Sequence, residues 1–169
     1  MPIYTNMNNE QLSKIMNEHF FSRYNKTHDK GSIAIYLKPL LELNKICNED
    51  NHKTIIEFIS NRMTESIQIT KDHQSEDDKR DPTIIVFLDL KGILMRDMTS
   101  KTKKFLVMII QFLQNTYVDT MVKTFLYNPP VFINISYKFF YRFIDPDTRK
   151  KIVIVKKNKE LISADEFCK

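Results

Sequence analysis

The chain has 169 residues, of which 42% are hydrophobic and 28% charged, with a formal net charge of +5. That composition is globular rather than disordered, the length suits one domain with a real core, and the basic excess favours anionic partners such as a lipid headgroup, a membrane surface or nucleic acid. Only two glycines occur, Gly31 and Gly92, which excludes the glycine-rich phosphate loops of the common nucleotide-binding α/β enzymes.

In chain order, Asn9 reads as the cap of a helix whose Leu12, Ile15, Met16, His19 and Phe20 share one face. Asp29-Lys30-Gly31 reads as a turn and Ser32–Leu37 as a short strand ended by Pro39. From His52 to Ile67, the apolar residues Ile55, Ile56, Ile59, Met63 and Ile67 recur at helical spacing. Residues 71–82, dense in both charges and closed by Pro82, read as a surface loop. Thr83–Leu88 is a near-continuous apolar run, the pattern of a strand buried on both faces of a parallel sheet. Thr99 or Ser100 caps a following helix with Phe105, Met108, Ile109, Phe112 and Leu113 inward, and Lys123–Tyr127 is a third strand. Pro129-Pro130 opens another helix, Asp145-Pro146 a shorter one, and Lys151–Val155 is a fourth strand. Ser163-Ala164-Asp165-Glu166 is a capping-box signature. Strands alternating with helices predict an α/β domain with a mostly parallel sheet, one domain over residues 1–169.

Cys47 and Cys168 lie far apart without CxxC spacing and read as free thiols of a reducing compartment. Met1–Asn6 lacks the basic and apolar regions of a secretory signal. No apolar run reaches the roughly twenty residues that span a bilayer, so the cytoplasm is the expected location. His19, His28, His52 and His73 show no metal-ligand spacing, no GxSxG elbow exists, and neither cysteine has the signature of a nucleophile. The best catalytic candidate is Asp89, at the C-terminal end of the strongest strand. A metal-dependent phosphatase would want a second carboxylate two residues on, and that position is Lys91, a poor partner for Mg²⁺. The simpler reading of Asp89-Leu90-Lys91-Gly92 is a strand-ending turn with Gly92 at positive φ.

The stretch Ile84-Ile85-Val86-Phe87-Leu88-Asp89-Leu90-Lys91-Gly92 resembles the strand and turn that open the central part of a CRAL-TRIO domain. After one helix come Tyr117-Val118-Asp119, Asn128-Pro129-Pro130 and Phe143-Ile144-Asp145-Pro146-Asp147-Thr148-Arg149-Lys150-Lys151-Ile152. The family pieces read Tyr-Pro-Glu, Asn-x-Pro and Phe-Leu-Asp-Pro-x-Thr-x-x-Lys-Ile, and the spacing from Tyr117 to Ile152 needs no gap against fungal phosphatidylinositol-transfer proteins. Lys26-Thr27-His28-Asp29-Lys30-Gly31 is similar to the family's lead-in turn, so the resemblance runs from about Phe20 to Phe167.

This resemblance implies a lipid cavity floored by the sheet and closed by a mobile gate helix at about Val131–Ile144, with Phe132, Ile135, Phe139, Phe140 and Phe143 against the acyl chains. It implies headgroup contacts at Asp119, Thr148 and Lys151, no catalytic residues, no metal and no cofactor beyond the phospholipid ligand. The implied function is the non-catalytic binding and intermembrane transfer of a phospholipid, with phosphoinositides favoured and a membrane surface as transient partner. Val118 and Asp119 depart from the family's Pro-Glu, and Ile93-Leu94-Met95-Arg96 stand where choline-lipid carriers have serines. The family's preceding helical bundle and final Gly-Gly segment have no counterpart in the sequence, and a domain so trimmed leaves room for a homo-oligomer. The alternatives are a protein-interaction scaffold of the same fold and the Asp89 phosphatase. Nucleic acid is not an expected partner, because the basic residues are dispersed and no binding motif accompanies them.

Overall fold

The computed structural model describes residues 9–46, 49–117 and 119–155, and the alternation predicted from sequence becomes in them a five-stranded mixed sheet flanked by helices. Cys47, Val118, Cys168 and the capping-box signature at Ser163–Glu166 lie outside the described residues.

Helix α1 (Asn9–His19) buries Leu12 and Met16. The next residue, Phe20, opens a strand instead of closing the helical face. This strand, β1 (Phe20–Asn25), pairs antiparallel with β2 (Lys30–Tyr36). Sequence reading missed β1 because Ser22, Arg23 and Asn25 dilute its apolar alternation. Gly31, read as part of a turn, lies inside β2, and the hairpin turns earlier, at Asp29 with φ 53°.

Pro39 does not stop the chain either. It lies in the first turn of α2 (Leu37–Ile46), where the missing N–H costs nothing because no intrahelical partner exists there. Helix α3 (Glu49–His73) runs six residues beyond the predicted end at Ile67. The cause is Thr70, which is buried and hydrogen-bonded, so the helix is carried on by polar contacts that hydrophobic periodicity does not register. The polar loop accordingly begins after His73 rather than at Lys71.

Three parallel strands follow. They are β3 (Ile84–Asp89), β4 (Met121–Tyr127) and the short β5 (Ile152–Ile154), and the sheet order is β1-β2-β3-β4-β5. Between them lie α4 (Ser100–Thr116), α5 (Ile133–Tyr141) and α6 (Pro146–Lys151). Thr99 caps α4 by accepting from the Thr102 N–H, and Asp145 caps α6 with Pro146 at its first position, both as the sequence predicts. Lys151 closes α6 and does not begin β5.

Parallel strands laid down in sequential order with right-handed crossovers place all their helices on one face of the sheet. The core shows that arrangement. Ile33, Ile35 and Val86 pack with Ile55, Ile59 and Met63 of α3 and with Phe105 and Ile109 of α4. Leu126 continues the same face toward Phe132, Ile133 and Phe140. On the other face, the register aligns Phe21, Ala34, Phe87, Phe125 and Val153 in one row across all five strands.

Candidate functional site

Between the sheet and the α4–α5 wall lies a cavity of about 220 Å³ whose surface is almost wholly apolar. Its floor is two rows of the sheet, Val86, Thr124 and Ile152 in one and Ile35, Leu88 and Leu126 in the other, aligned by the strand register. Helix α4 supplies Leu106, Ile109, Ile110, Leu113 and Gln114, and the segment after β3 supplies Leu90, Ile93 and Met98. That segment is held by Asp97, buried within a 3₁₀ turn (Met95–Asp97), whose carboxylate takes the Lys38 ammonium at 2.8 Å and the Leu94 N–H at 2.9 Å.

Helix α5 closes the cavity with Ile133, Tyr137, Phe140 and, just past its end, Ile144, a stripe at spacings of four, three and four residues. Of the gate residues expected from sequence, Phe132 and Phe140 are on the cavity wall. Ile135 faces solvent at 66% exposure. Phe139 and Phe143 lie off the wall, where the Arg142 guanidinium stacks 4.8 Å from both rings and the Lys103 ammonium lies 5.0 Å from Phe139. The gate segment is also shorter than expected, with helix only over Ile133–Tyr141.

Of the headgroup residues expected from sequence, Asp119 and Lys151 are not among the residues lining the cavity and face each other instead. Thr148 is part of the lining. Its hydroxyl bonds the Asp145 carboxylate, and this contact, followed by the backbone N–H groups of Thr148 and Asp147, holds the Asp145 carboxyl below the usual carboxylate range. Lys151 follows Thr148 by three positions, hence on the same face of α6, and its side chain is 28% exposed. Asp119 has φ 59° and a side chain 92% exposed, with Oδ1 3.9 Å from Lys151 Nζ. The neighbouring cations are more firmly engaged. Lys150 pairs with Asp147 at 2.8 Å, while Arg149 donates to the Ile144 carbonyl at 2.7 Å and stacks on Tyr141.

Asp89 is half-buried, and its Oδ1 accepts from the Lys91 N–H and from Asn128 Nδ2, each at 2.8 Å. Gly92 follows with φ 78°, the turn the sequence predicts. Among the described residues, no three His, Cys, Asp or Glu side chains are grouped as metal ligands, and no helix is long and apolar enough to cross a membrane. Sequence reading missed Gln114, which lines the cavity and fixes the α5–α6 connection. Its polarity inside an apolar helical face was the one available signal.

A one-sided α/β sheet whose helices enclose an apolar cavity defines a domain built to surround something hydrophobic. Residues 17–168 match the CRAL/TRIO domain, and the chain belongs to that family of lipid-binding domains. Twenty-seven chains of solved structures are similar. One of them, Sfh5, superposes with a TM-score of 0.67 at 18% identity, over 89% of this chain and 52% of its own, so this chain spans about half the length of that protein. No curated protein matches.

Proposed function

We propose that the domain carries a phospholipid, with acyl chains in the cavity and the headgroup phosphate at Lys151, and that phosphoinositides are its preferred cargo. The observation that carries this reading is the apolar cavity under α5, with Thr148 in its wall and Lys151 beside it. Each CH₂ taken out of water is worth about 0.8 kcal/mol, so a long-chain lipid in transit through water needs its tails enclosed. At about 220 Å³ the cavity is below the roughly 300–1,000 Å³ of ordinary ligand sites, and two acyl chains need α5 to move outward. Lys151 suits the phosphate because its one carboxylate contact among the described residues is long and exposed, whereas Lys150 is already paired. The Thr148 and Asp119 side chains offer a hydroxyl and a carboxylate to inositol hydroxyls. In this reading the protein works in the cytoplasm and meets membranes only while loading and unloading.

A cavity favours this reading over a protein-interaction scaffold, for which a filled core would serve as well. An Asp89 phosphatase is disfavoured by the commitment of Asp89 Oδ1 to Lys91 and Asn128.

The test is native mass spectrometry with lipid extraction, then competition between phosphatidylinositol and phosphatidylcholine. Lys151→Ala is expected to lose about tenfold or more in phosphatidylinositol affinity, as a charge-assisted hydrogen bond is worth roughly 1.5–3 kcal/mol. Phosphatidylcholine affinity and thermal stability should stay near wild type, and Lys150→Ala should change neither lipid. Equal losses at Lys150 and Lys151 would reduce the headgroup assignment to general surface charge.

A further inference from the structure

One wall of the cavity is built without a long helix or a strand. Residues 90–99 connect β3 to α4 through the 3₁₀ turn Met95–Asp97. Leu90, Ile93 and Met98 of this connection line the cavity beside Leu37 and Leu40 of α2. Apolar packing holds its inner side, whereas Leu94 and Met95 are turned outward, 45% and 53% exposed. Leu41 of α2 packs in the same cluster as Leu90 and Ile93, and charge adds a directional tie. The Asp97 side chain is 1% exposed, and its Oδ2 takes the Lys38 Nζ at 2.8 Å and the Leu94 N–H at 2.9 Å. Lys38 reaches it from the first turn of α2, past the Gly92 turn, where a Cβ would stand 3.8 Å from Lys38 Cγ. A lysine in a first turn opposes the helix dipole, so its position is explained by Asp97 rather than by the helix. Burial works against the Lys38 ammonium, but hydrogen bonds to Asp97 and Glu42 outweigh burial and hold its pKa above the ordinary lysine value.

We infer that Lys38 and Asp97 are positioning residues of the cavity, whose pairing fixes the β3–α4 connection against α2 and so sets where Ile93 and Met98 meet the cargo. An ion pair with one partner buried gives back in attraction little more than it loses in desolvation. What it supplies is direction and distance. Apolar contacts alone would let Leu90, Ile93 and Met98 slide against α2, since such contacts respond to area and not to angle. The Asp97 carboxylate stops that motion at two points, the Lys38 ammonium and the Leu94 N–H. Ile93 immediately precedes Leu94 and Met98 immediately follows Asp97, so each of these wall residues adjoins a fixed one. Glu42 on α2, Lys91 and Arg96 on the connection and Lys101 in the first turn of α4 are all exposed. Removing Lys38 therefore takes from the buried carboxylate the cation that meets it at 2.8 Å. The inference rests on the proposed lipid function for the identity of the cargo, and not for the wall.

Binding of N-phenyl-1-naphthylamine, a neutral apolar dye, to the full chain tests the pair between about pH 8 and about pH 5. Lys38→Met keeps the stem but strands the carboxylate, whose turn toward water takes Ile93 and Met98 off the cavity. Its dye affinity is expected to fall about tenfold at about pH 8, the contact of roughly two methylene groups. As the pH falls, a carboxylate buried without its cation takes up a proton, and affinity should rise to that of Lys38→Met combined with Asp97→Asn. The combined variant strands no charge and keeps an acceptor for the Leu94 N–H, so it should bind about fourfold more weakly than wild type at every pH. Lys38→Arg keeps the ion pair and should follow wild type, which is titrated alongside as the control for histidine protonation. Four results would each overturn the inference: a Lys38→Met loss that does not change with pH, a combined variant as weak as Lys38→Met at about pH 8, Lys38→Arg as weak as Lys38→Met, or lowered melting temperatures with unaltered dye affinity. Should Lys38→Met not fold, the combined variant decides alone, and wild-type affinity in it overturns the inference. Wild-type protein that takes up the dye, yet holds neither phosphatidylinositol nor phosphatidylcholine in native mass spectra after incubation with vesicles of each, keeps the positioning pair and removes the lipid function.

Discussion

Emptying the cavity should cost the protein a measurable part of its stability. A void enclosed in a core destabilises by about 24 cal/mol per Å³, so an unfilled cavity of about 220 Å³ that is partly open to solvent costs at most about 5 kcal/mol on that scale. Domains are stable by only about 5–15 kcal/mol in total. For a chain of this length each kcal/mol moves the melting temperature by about 2–4 °C, so the lipid-free protein should melt below the loaded one by several degrees and by no more than about 20 °C. The assay is thermal unfolding by circular dichroism, on protein as purified and after its lipid has been stripped into detergent and the detergent removed. Ile110→Phe and Leu113→Phe provide the complementary perturbation, because both positions line the cavity from α4. Each should raise the stability of the lipid-free protein while reducing its lipid content. Equal melting temperatures for loaded and stripped protein, together with destabilised phenylalanine variants, would refute the reasoning, since the fold would then be maintaining no unfilled space.

The phase of α5 yields a paired expectation. Phe140→Asp, which sets an unpaired carboxylate in the cavity wall, should abolish lipid content in native mass spectra, while Ile135→Asp on the exposed side should leave both content and melting temperature near wild type. Gly31→Ala should lower the melting temperature by about 5–10 °C, because a Cβ there would stand 1.9 Å from the Ser66 carbonyl oxygen and 3.0 Å from Thr70 Oγ1. A variant that melts within 1 °C of wild type would mean that α3 stands off from β2.

Several elements were legible because their chemistry is local. The apolar run of β3, the Thr99 cap and the Asp145-Pro146 cap are each set by a few consecutive residues. Strand β1 and helix α2 were not, because Arg23 and Asn25 interrupt one pattern and Pro39 imitates a stop in the other. The orientation of α5 was undetermined for a different reason. Phe132, Ile135, Phe139 and Phe143 recur at three, four and four residues, while Ile133, Tyr137, Phe140 and Ile144 recur at four, three and four. Both stripes are apolar and both fit a helix, so tertiary packing decides between them. The long-range hydrogen bonds were invisible for a third reason. Asp89 and Asn128 are 39 residues apart, and Gln114 is 29 from Phe143, so no local pattern connects them.

The two ends of the sheet meet their helices in different ways. At the β1–β2 end, Gly31 lets the α3 backbone approach the sheet, and a set of hydrogen bonds fastens the two layers. The Gly31 N–H donates to Thr70 Oγ1, Thr70 Oγ1 donates to the Thr83 carbonyl, Ser66 Oγ to the Ser32 carbonyl and Ser22 Oγ to the Arg62 carbonyl, at 2.8 to 3.1 Å. Each bond has one favourable geometry, so together they set the spacing between helix and strand and leave no freedom to widen it. At the β4–β5 end the corresponding residues are aromatic. Phe132 and Phe140 place whole rings between the helix and the sheet, and β5 has only three residues to oppose them. A layer held by rings can stand at more than one distance, because apolar packing responds to area removed from water and not to a fixed angle. Close polar contact on one side and apolar contact on the other thus give a single sheet one half fastened to its helix and one half with a cavity beneath its helix.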